Sequence, residues 1–278
     1  MTYAPQLCRD PVTAANVYVS RIEPSLAVAR AIARYQERTL VFTSTFDAPV
    51  AGVPVELWRA PSFRRWYDAQ TAAGNTLESA DLQWALSVGE KEEPFLWVLK
   101  VAVRVAAENR VKANEVVLSR PDLSAVALYR AAPVLDDTVV VLIREFRSPA
   151  STPDGFVHEL PGGSGAESDP RDQAAAEVVE ETGLTVAADR LVAHGSRQVA
   201  ATLSAHHAHL YSAAITEAEL AWLRSQCDVA HGDGYGQERT WIEITTYGEM
   251  RRGRSVDWAT LGMLTQALLE AREARDED

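Results

Sequence analysis

The chain has 278 residues, enough for two domains with separate cores. Its 27 basic and 39 acidic residues give a formal charge of −12, which opposes binding to nucleic acid, and no basic run interrupts the excess. Hydrophobic residues at 47% and charged residues at 24% are globular values, and apolar runs such as Thr138 to Ile143 are far too short to span a bilayer, so no membrane partner is expected.

The opening segment, MTYAPQLCRDPVTAANVYVS, lacks the basic stretch and apolar core of a secretory signal. Two cysteines, Cys8 and Cys227, are too few for a disulfide framework or a four-ligand zinc site, and the expected compartment is the reducing cytoplasm. Asn16 to Ser20 alternates like a strand, Pro24 to Gln36 has helical spacing after an initial proline, and Thr39 to Phe46 is again β-rich, predicting a β-α-β unit. The aromatic stretch VELWRAPSFRRWYDAQ follows. Buried, it forms a core; exposed, it grips a flat ligand or another subunit; the core reading is preferred. In GNTLESADLQWAL, Thr76 is placed to cap a short helix.

From Phe95 the texture changes to strands, with Val101, Val103 and Val105 alternating before EVVLS and AVALYRAA. A turn at PVLDD leads into Thr138 to Phe146, so these last two strands are expected to pair antiparallel. The chain is therefore read as α/β (α+β), with an N-terminal α/β domain of unassigned function over 1–110 and a second domain over 111–278, joined between Phe95 and Val116.

The second domain carries the most informative segment. Between Glu159 and Glu181 stand seven acidic residues and one basic residue, Arg171, with no lysine. Asp169 followed by Pro170 starts a helix: the aspartate caps a free backbone N–H, and the proline gives up a donor that had no partner. Gly183 ends it. Ala174, Ala175, Val178 and Val179 are available to a core, while Glu177 lies three and four residues before Glu180 and Glu181, a spacing that gathers three carboxylates on one side. Such carboxylates repel one another, and a hard divalent cation with oxygen ligands explains them better than helix stability does. The glycines of the preceding ELPGGSG free a backbone group to approach a metal or phosphate.

These residues resemble a Nudix box: a glycine, five residues, a glutamate, seven residues, then Arg-Glu-hydrophobic-any-Glu-Glu-any-Gly-hydrophobic. EVVEETGL, Glu177 to Leu184, matches the end of that pattern, and counting back places its glycine at Gly162. The approach, TVVVLIREFRSPASTPDGFVHELPGG, is similar to the ADP-ribose pyrophosphatase-like branch, and the likeness extends over about residues 115 to 270. It implies a mixed sheet between helices and a Mg2+- or Mn2+-dependent pyrophosphohydrolase acting on a nucleoside diphosphate joined to a sugar or similar group, with ADP-ribose the first candidate. It also implies a homodimer.

Carried over residue by residue, the resemblance makes Glu177 and Glu181 metal ligands and Glu180 a ligand or base, with Gly162 completing the shell through its carbonyl. Arg144, Arg147 and Glu159 would meet the substrate; Glu238, in the late loop HGDGYGQERTWIEI, would be the base, with Asp233 its competitor and Gly232, Gly234 and Gly236 giving the loop a lid's freedom. Two positions depart from the pattern: Ala176 replaces the arginine, for which Arg171 or Arg197 could substitute, and Ser168 replaces the earlier glutamate, with Glu167 one place away. These departures admit a rival from another class, a nucleotide-binding regulatory protein with weak or no hydrolysis. His207 and His209 share one strand face in SAHHAHLYSA, but without a neighbouring carboxylate or cysteine they read as packed histidines rather than a metal pair.

Overall fold

The computed structural model describes residues 52–87, 94–165, 169–232 and 238–277. The strand expected at Asn16 to Ser20, the helix at Pro24 to Gln36 and the strand at Thr39 to Phe46 lie outside the described residues. Residues 46–278 form one compact unit. It is mixed α/β, with one antiparallel and one mixed sheet. Among the described residues no helix is long and apolar enough to cross a membrane.

Two helices, α1 (Val55–Arg59) and α2 (Pro61–Ala72), pack on a three-stranded antiparallel sheet of β1 (Thr76–Leu86), β2 (Leu96–Val105) and β3 (Arg110–Ser119). The aromatic stretch is core, as the preferred reading holds. Phe63 and Trp97 are fully buried with ring centroids 5.7 Å apart, Trp58 meets Phe63 and Tyr67 edge-on, and the Trp97 indole donates to Ser62 Oγ at 2.9 Å. Burying the indole is tolerable because its one donor is satisfied.

The helix expected after Thr76 is instead β1. Its buried Leu77 and Ala80 are three apart, a helical spacing, but the register slips between Leu77 and Ser79. That bulge inserts one residue and turns both side chains to the same face of a strand. Residue 110, where the sequence reading divides the chain, opens β3, which pairs with β2, so the passage from one sheet to the next falls at 120–122.

The second sheet runs β10-β5-β4-β9-β8, from β10 (Thr240–Thr246), β5 (Val139–Glu145), β4 (Leu123–Arg130), β9 (His207–Ala214) and β8 (Val192–Gln198). Short β6 (Val157–Glu159) adds to β5, and β7 (Gly162–Ser164) adds to β4. β4 and β5 are antiparallel, as expected, while β4 and β9 are parallel. β4 is buried on both faces, hence its nearly unbroken apolar run: Val126 and Leu128 face α3 (Pro170–Thr182) and α4 (Glu217–Ser225), while Ala125, Ala127 and Tyr129 face α5 (Tyr247–Arg252) and α6 (Trp258–Glu277). The sheet thus lies between two pairs of helices.

The Phe63 ring is fully buried at the centre of the smaller layer, in contact with Trp58, Trp66, Tyr67 and Trp97, so its removal leaves a cavity. Phe63→Ala is expected to destabilise the protein by about 3–5 kcal/mol, read as a lower urea midpoint.

Candidate functional site

Helix α3 forms as its sequence dictates. Asp169 accepts a bond from the Arg171 backbone N–H at 2.9 Å, Pro170 occupies the first position, and Gly183 closes the helix at φ +69°, in the left-handed region. Ala174 and Val178 are buried and Ala175 partly so, but Val179 is exposed, because one residue turns about 100° around the helix. The same geometry grades the burial of the three glutamates. Along the side that the spacing gives them, Glu181 is buried, Glu177 half-buried and Glu180 exposed.

The last turn of α3 is pinned by tertiary contacts. The Glu180 carbonyl accepts from the Gly232 amide at 3.2 Å and the Glu181 carbonyl from Thr240 Oγ1 at 3.0 Å, satisfying helix-end acceptors that have no partner within the helix. His231 and Thr240 exchange backbone bonds at 2.9 and 3.0 Å, so the segment bearing Glu238 starts and ends against this turn. The alternative base Asp233, with Gly234 and Gly236, lies outside the described residues, as do Glu167 and Ser168.

Close approach requires a glycine at the first position of β7 and brings the second against a movable side chain. A Cβ on Gly162 would lie 2.3 Å from the Ser124 carbonyl oxygen, against the β4 backbone; one on Gly163 would lie 2.3–2.6 Å from the Glu177 carboxyl group. With no side chain in the way, the Gly162 amide donates to Glu181 Oε2 at 2.7 Å. Gln173 Nε2 donates to Glu177 Oε1 at 3.3 Å. The Gly162 amide thus ties β7 to the acidic helix.

On the α3 side of the sheet, Glu145 ends β5, and Glu159 sits on β6 directly opposite Ile143. Both lie within electrostatic reach of Glu181. Burial raises Glu181 well above the ordinary carboxylate range, helped by Glu177, Glu159 and Glu145 and opposed by the Gly162 amide. Burial likewise raises Glu177 and Glu159, and lifts Glu145 to about 7 against the pull of Arg147. Arg147 Nη2 lies 2.9 Å from Glu145 Oε2, and its Nη1 lies 3.4 Å from Glu238 Oε1. The first contact is an ion pair whose angles do not make a hydrogen bond, leaving Glu145 Oε2 without one among the described residues.

Glu145, Glu159, Glu177, Glu181, Glu238 and Arg147 are thus gathered around one end of α3. Arg144 is not among them. It points from the opposite face of β5, with its guanidinium over the rings of Phe156 at 4.9 Å and Trp241 at 5.6 Å. Arg171 donates to the Leu191 carbonyl at 3.0 Å and lies over Tyr211, and Arg197 lies on β8 within reach of Glu270; neither is placed where the arginine missing at Ala176 would act.

Two site residues escape the sequence reading. Glu145 had a usable signal, since it shares alternation with Val141 and Ile143. Arg120, in the connector between the sheets, had none: its guanidinium reaches Ser164 Oγ at 2.8 Å and lies within electrostatic reach of Glu159, Glu238 and Arg147. The premise that no carboxylate stands beside the histidines is corrected by the fold: Asp122 accepts the His207 backbone N–H at 3.0 Å and lies 3.3 Å from His209 Nε2. No protein-family model matches the chain, and no curated protein matches it.

Gly163→Ala is expected to keep the fold, because the atoms it meets are the movable end of Glu177, read as an unchanged far-UV circular dichroism spectrum. The protonation of Glu145 has a definite sign. Its folded pKa of about 7 exceeds its ordinary 4.5, so its contribution to stability is complete below about 4.5 and is lost as pH rises through about 7. The metal-free protein should therefore melt at lower temperature as pH rises across that window, and Glu145→Gln should flatten the slope.

Proposed function

We propose that this protein is a Nudix-type hydrolase of the ADP-ribose pyrophosphatase-like branch, with a Nudix fold over the larger sheet and its helices. It would cleave a nucleoside diphosphate linked to a sugar or similar group. The observation that carries this reading is Glu181, buried against the Gly162 amide, with Glu177 beside it and Glu145 and Glu159 facing it. Burying an ionised carboxylate costs several kcal/mol unless it is compensated. Here four buried or half-buried carboxyls share one site, and among the described residues Arg147 is the one guanidinium in ion-pair contact with it. A bound divalent cation offsets that cost.

The donor set has the right chemistry. Carboxylate and backbone oxygens suit Mg2+ or Mn2+, which commonly rest on one or two carboxylates, with water and substrate phosphate filling the other positions. Among the described residues no three acidic, histidine or cysteine side chains stand close enough to hold an ion by themselves, so water and substrate phosphate would have to complete its shell. Glu177 and Glu181 would hold it, with Glu180 at the flank and the Gly162 carbonyl as a further donor. The metal would supply charge neutralisation on phosphate oxygens and a lowered pKa for the attacking water.

The remaining roles belong to the chain. The Gly162 N–H fixes the Glu181 carboxylate, and Gln173 steadies Glu177. Arg147, balanced between Glu145 and Glu238, can turn its fork to a diphosphate, freeing Glu238 to accept a proton from water. Glu159, half-buried opposite Ile143, would border the sugar or diphosphate.

A second reading, nucleotide binding without hydrolysis, is favoured by Ala176, because Arg171 is engaged with backbone carbonyls and cannot act in place of the missing arginine. Phosphatase-coupled turnover of ADP-ribose, UDP- and GDP-sugars, dinucleotides and nucleoside triphosphates, with Mg2+ or Mn2+, separates the two. Metal-dependent release of a monophosphate from one member is expected, and Glu181→Gln should lower it by more than the roughly 100-fold that loss of a supporting partner costs. Undiminished turnover by Glu181→Gln rejects the mechanism. Thermal-shift binding without turnover selects the regulatory reading.

A further inference from the structure

Arg120 stands in the connector between β3 and β4, where the chain passes from the three-stranded sheet to the larger one. Its guanidinium is held at two points: Nη2 donates to Ser164 Oγ at 2.8 Å, and the group lies 5.4 Å from the Phe95 ring centroid. Glu159, Glu238 and Arg147 all lie within electrostatic reach of this guanidinium, which places Arg120 at the rim of the acidic site. Its Nε is buried without a hydrogen-bond partner, and no ion pair engages it among the described residues.

The electrostatics of this placement are unusual. Burial and the like charge of Arg147 both weigh against the Arg120 cation, while Glu159 and Glu238 favour it from a distance. Arg147 already has two carboxylates in contact. Arg120 has only a neutral hydroxyl and a ring face. Two guanidiniums within reach of each other, one lacking an anionic contact, form a place for an anion carrying more than one charge. A guanidinium fork matches a phosphate group with two parallel N–H bonds.

We propose that Arg120 is a substrate-binding residue of this site, taking one phosphate of a diphosphate group while Arg147 takes the other. This rests on the hydrolase reading for the substrate's identity but not for the binding itself. It gives the smaller layer a direct part in selection: the connector at the end of β3 would favour diphosphates over monophosphates, with Phe95 and Ser164 as positioning residues that hold the fork in place.

Binding of imidodiphosphate, a diphosphate that resists hydrolysis, to the full chain with saturating Mn2+ tests this by calorimetry. Wild type should bind it more tightly than inorganic phosphate. Arg120→Met, which keeps the length without the charge, should lose roughly 10- to 100-fold in affinity, with its melting temperature and Mn2+ affinity close to wild type. Arg120→Lys, which keeps the charge without the fork, should lose less but measurably. Wild-type affinity in Arg120→Met, or in Arg120→Lys should the first variant not fold, overturns the proposal, as does failure of wild type to bind imidodiphosphate. The two readings fail differently. Hydrolysis by wild type with an unchanged KM in the Arg120 variants rejects the role of Arg120 alone; Arg120-dependent imidodiphosphate binding without hydrolysis of any tested substrate rejects the hydrolase alone.

Discussion

The contact on which this site depends is the bond from the Gly162 amide to the buried carboxylate of Glu181. It joins the last turn of α3 to the short strand β7, and β7 is bonded in turn to β4 at the centre of the sheet. Both partners must come close for it to form. Gly162 has no space for a Cβ against the β4 backbone, and Gly163 has none against Glu177. The glycines therefore serve packing as much as turning, and the acidic helix face is held a fixed distance from the sheet.

Burying so many carboxyls has a consequence for charge. Without a cation, burial favours the protonated forms of Glu145, Glu159, Glu177 and Glu181, and the site is most comfortable when partly neutral. A bound divalent ion would reverse the preference by stabilising the ionised forms, so proton release would accompany metal binding. Arg147 alone cannot supply that compensation, because its single charge is divided between Glu145 and Glu238.

The joint between the two sheets concentrates several tertiary contacts in two residues, Arg120 and Asp122. Arg120 reaches Ser164 beside the acidic site, while Asp122 pairs with Arg65 of α2 and receives the His207 amide at the start of β9. The neighbouring segment adds backbone bonds between Leu118 and the 203–205 turn. A change in the smaller layer is thereby coupled to the rim of the site through a short connector, which gives that layer a physical route to influence what binds.

Much of this was legible in the residues. The caps of α3, its buried Ala174 and Val178, the strand pair β4–β5 and the aromatic core followed from local chemistry and periodicity, which act within a few residues and survive without knowledge of the fold. The motif from ELPGG to EVVEETGL likewise marked where the carboxylates concentrate. Tertiary structure decided what periodicity could not. A bulge turned the helical spacing of Leu77 and Ala80 into a strand, and strand alternation placed Arg144 opposite the site and Glu145 within it. Arg120 had no sequence signal, because its role comes from residues distant in the chain, Phe95, Ser164 and Arg147, that only pairing of β4 with β7 and the meeting of the two sheets bring around it. The sequence by itself determined which groups were available for chemistry; the fold decided which of them share one low-dielectric space, since burial and distance rather than residue identity set how strongly charges act on one another.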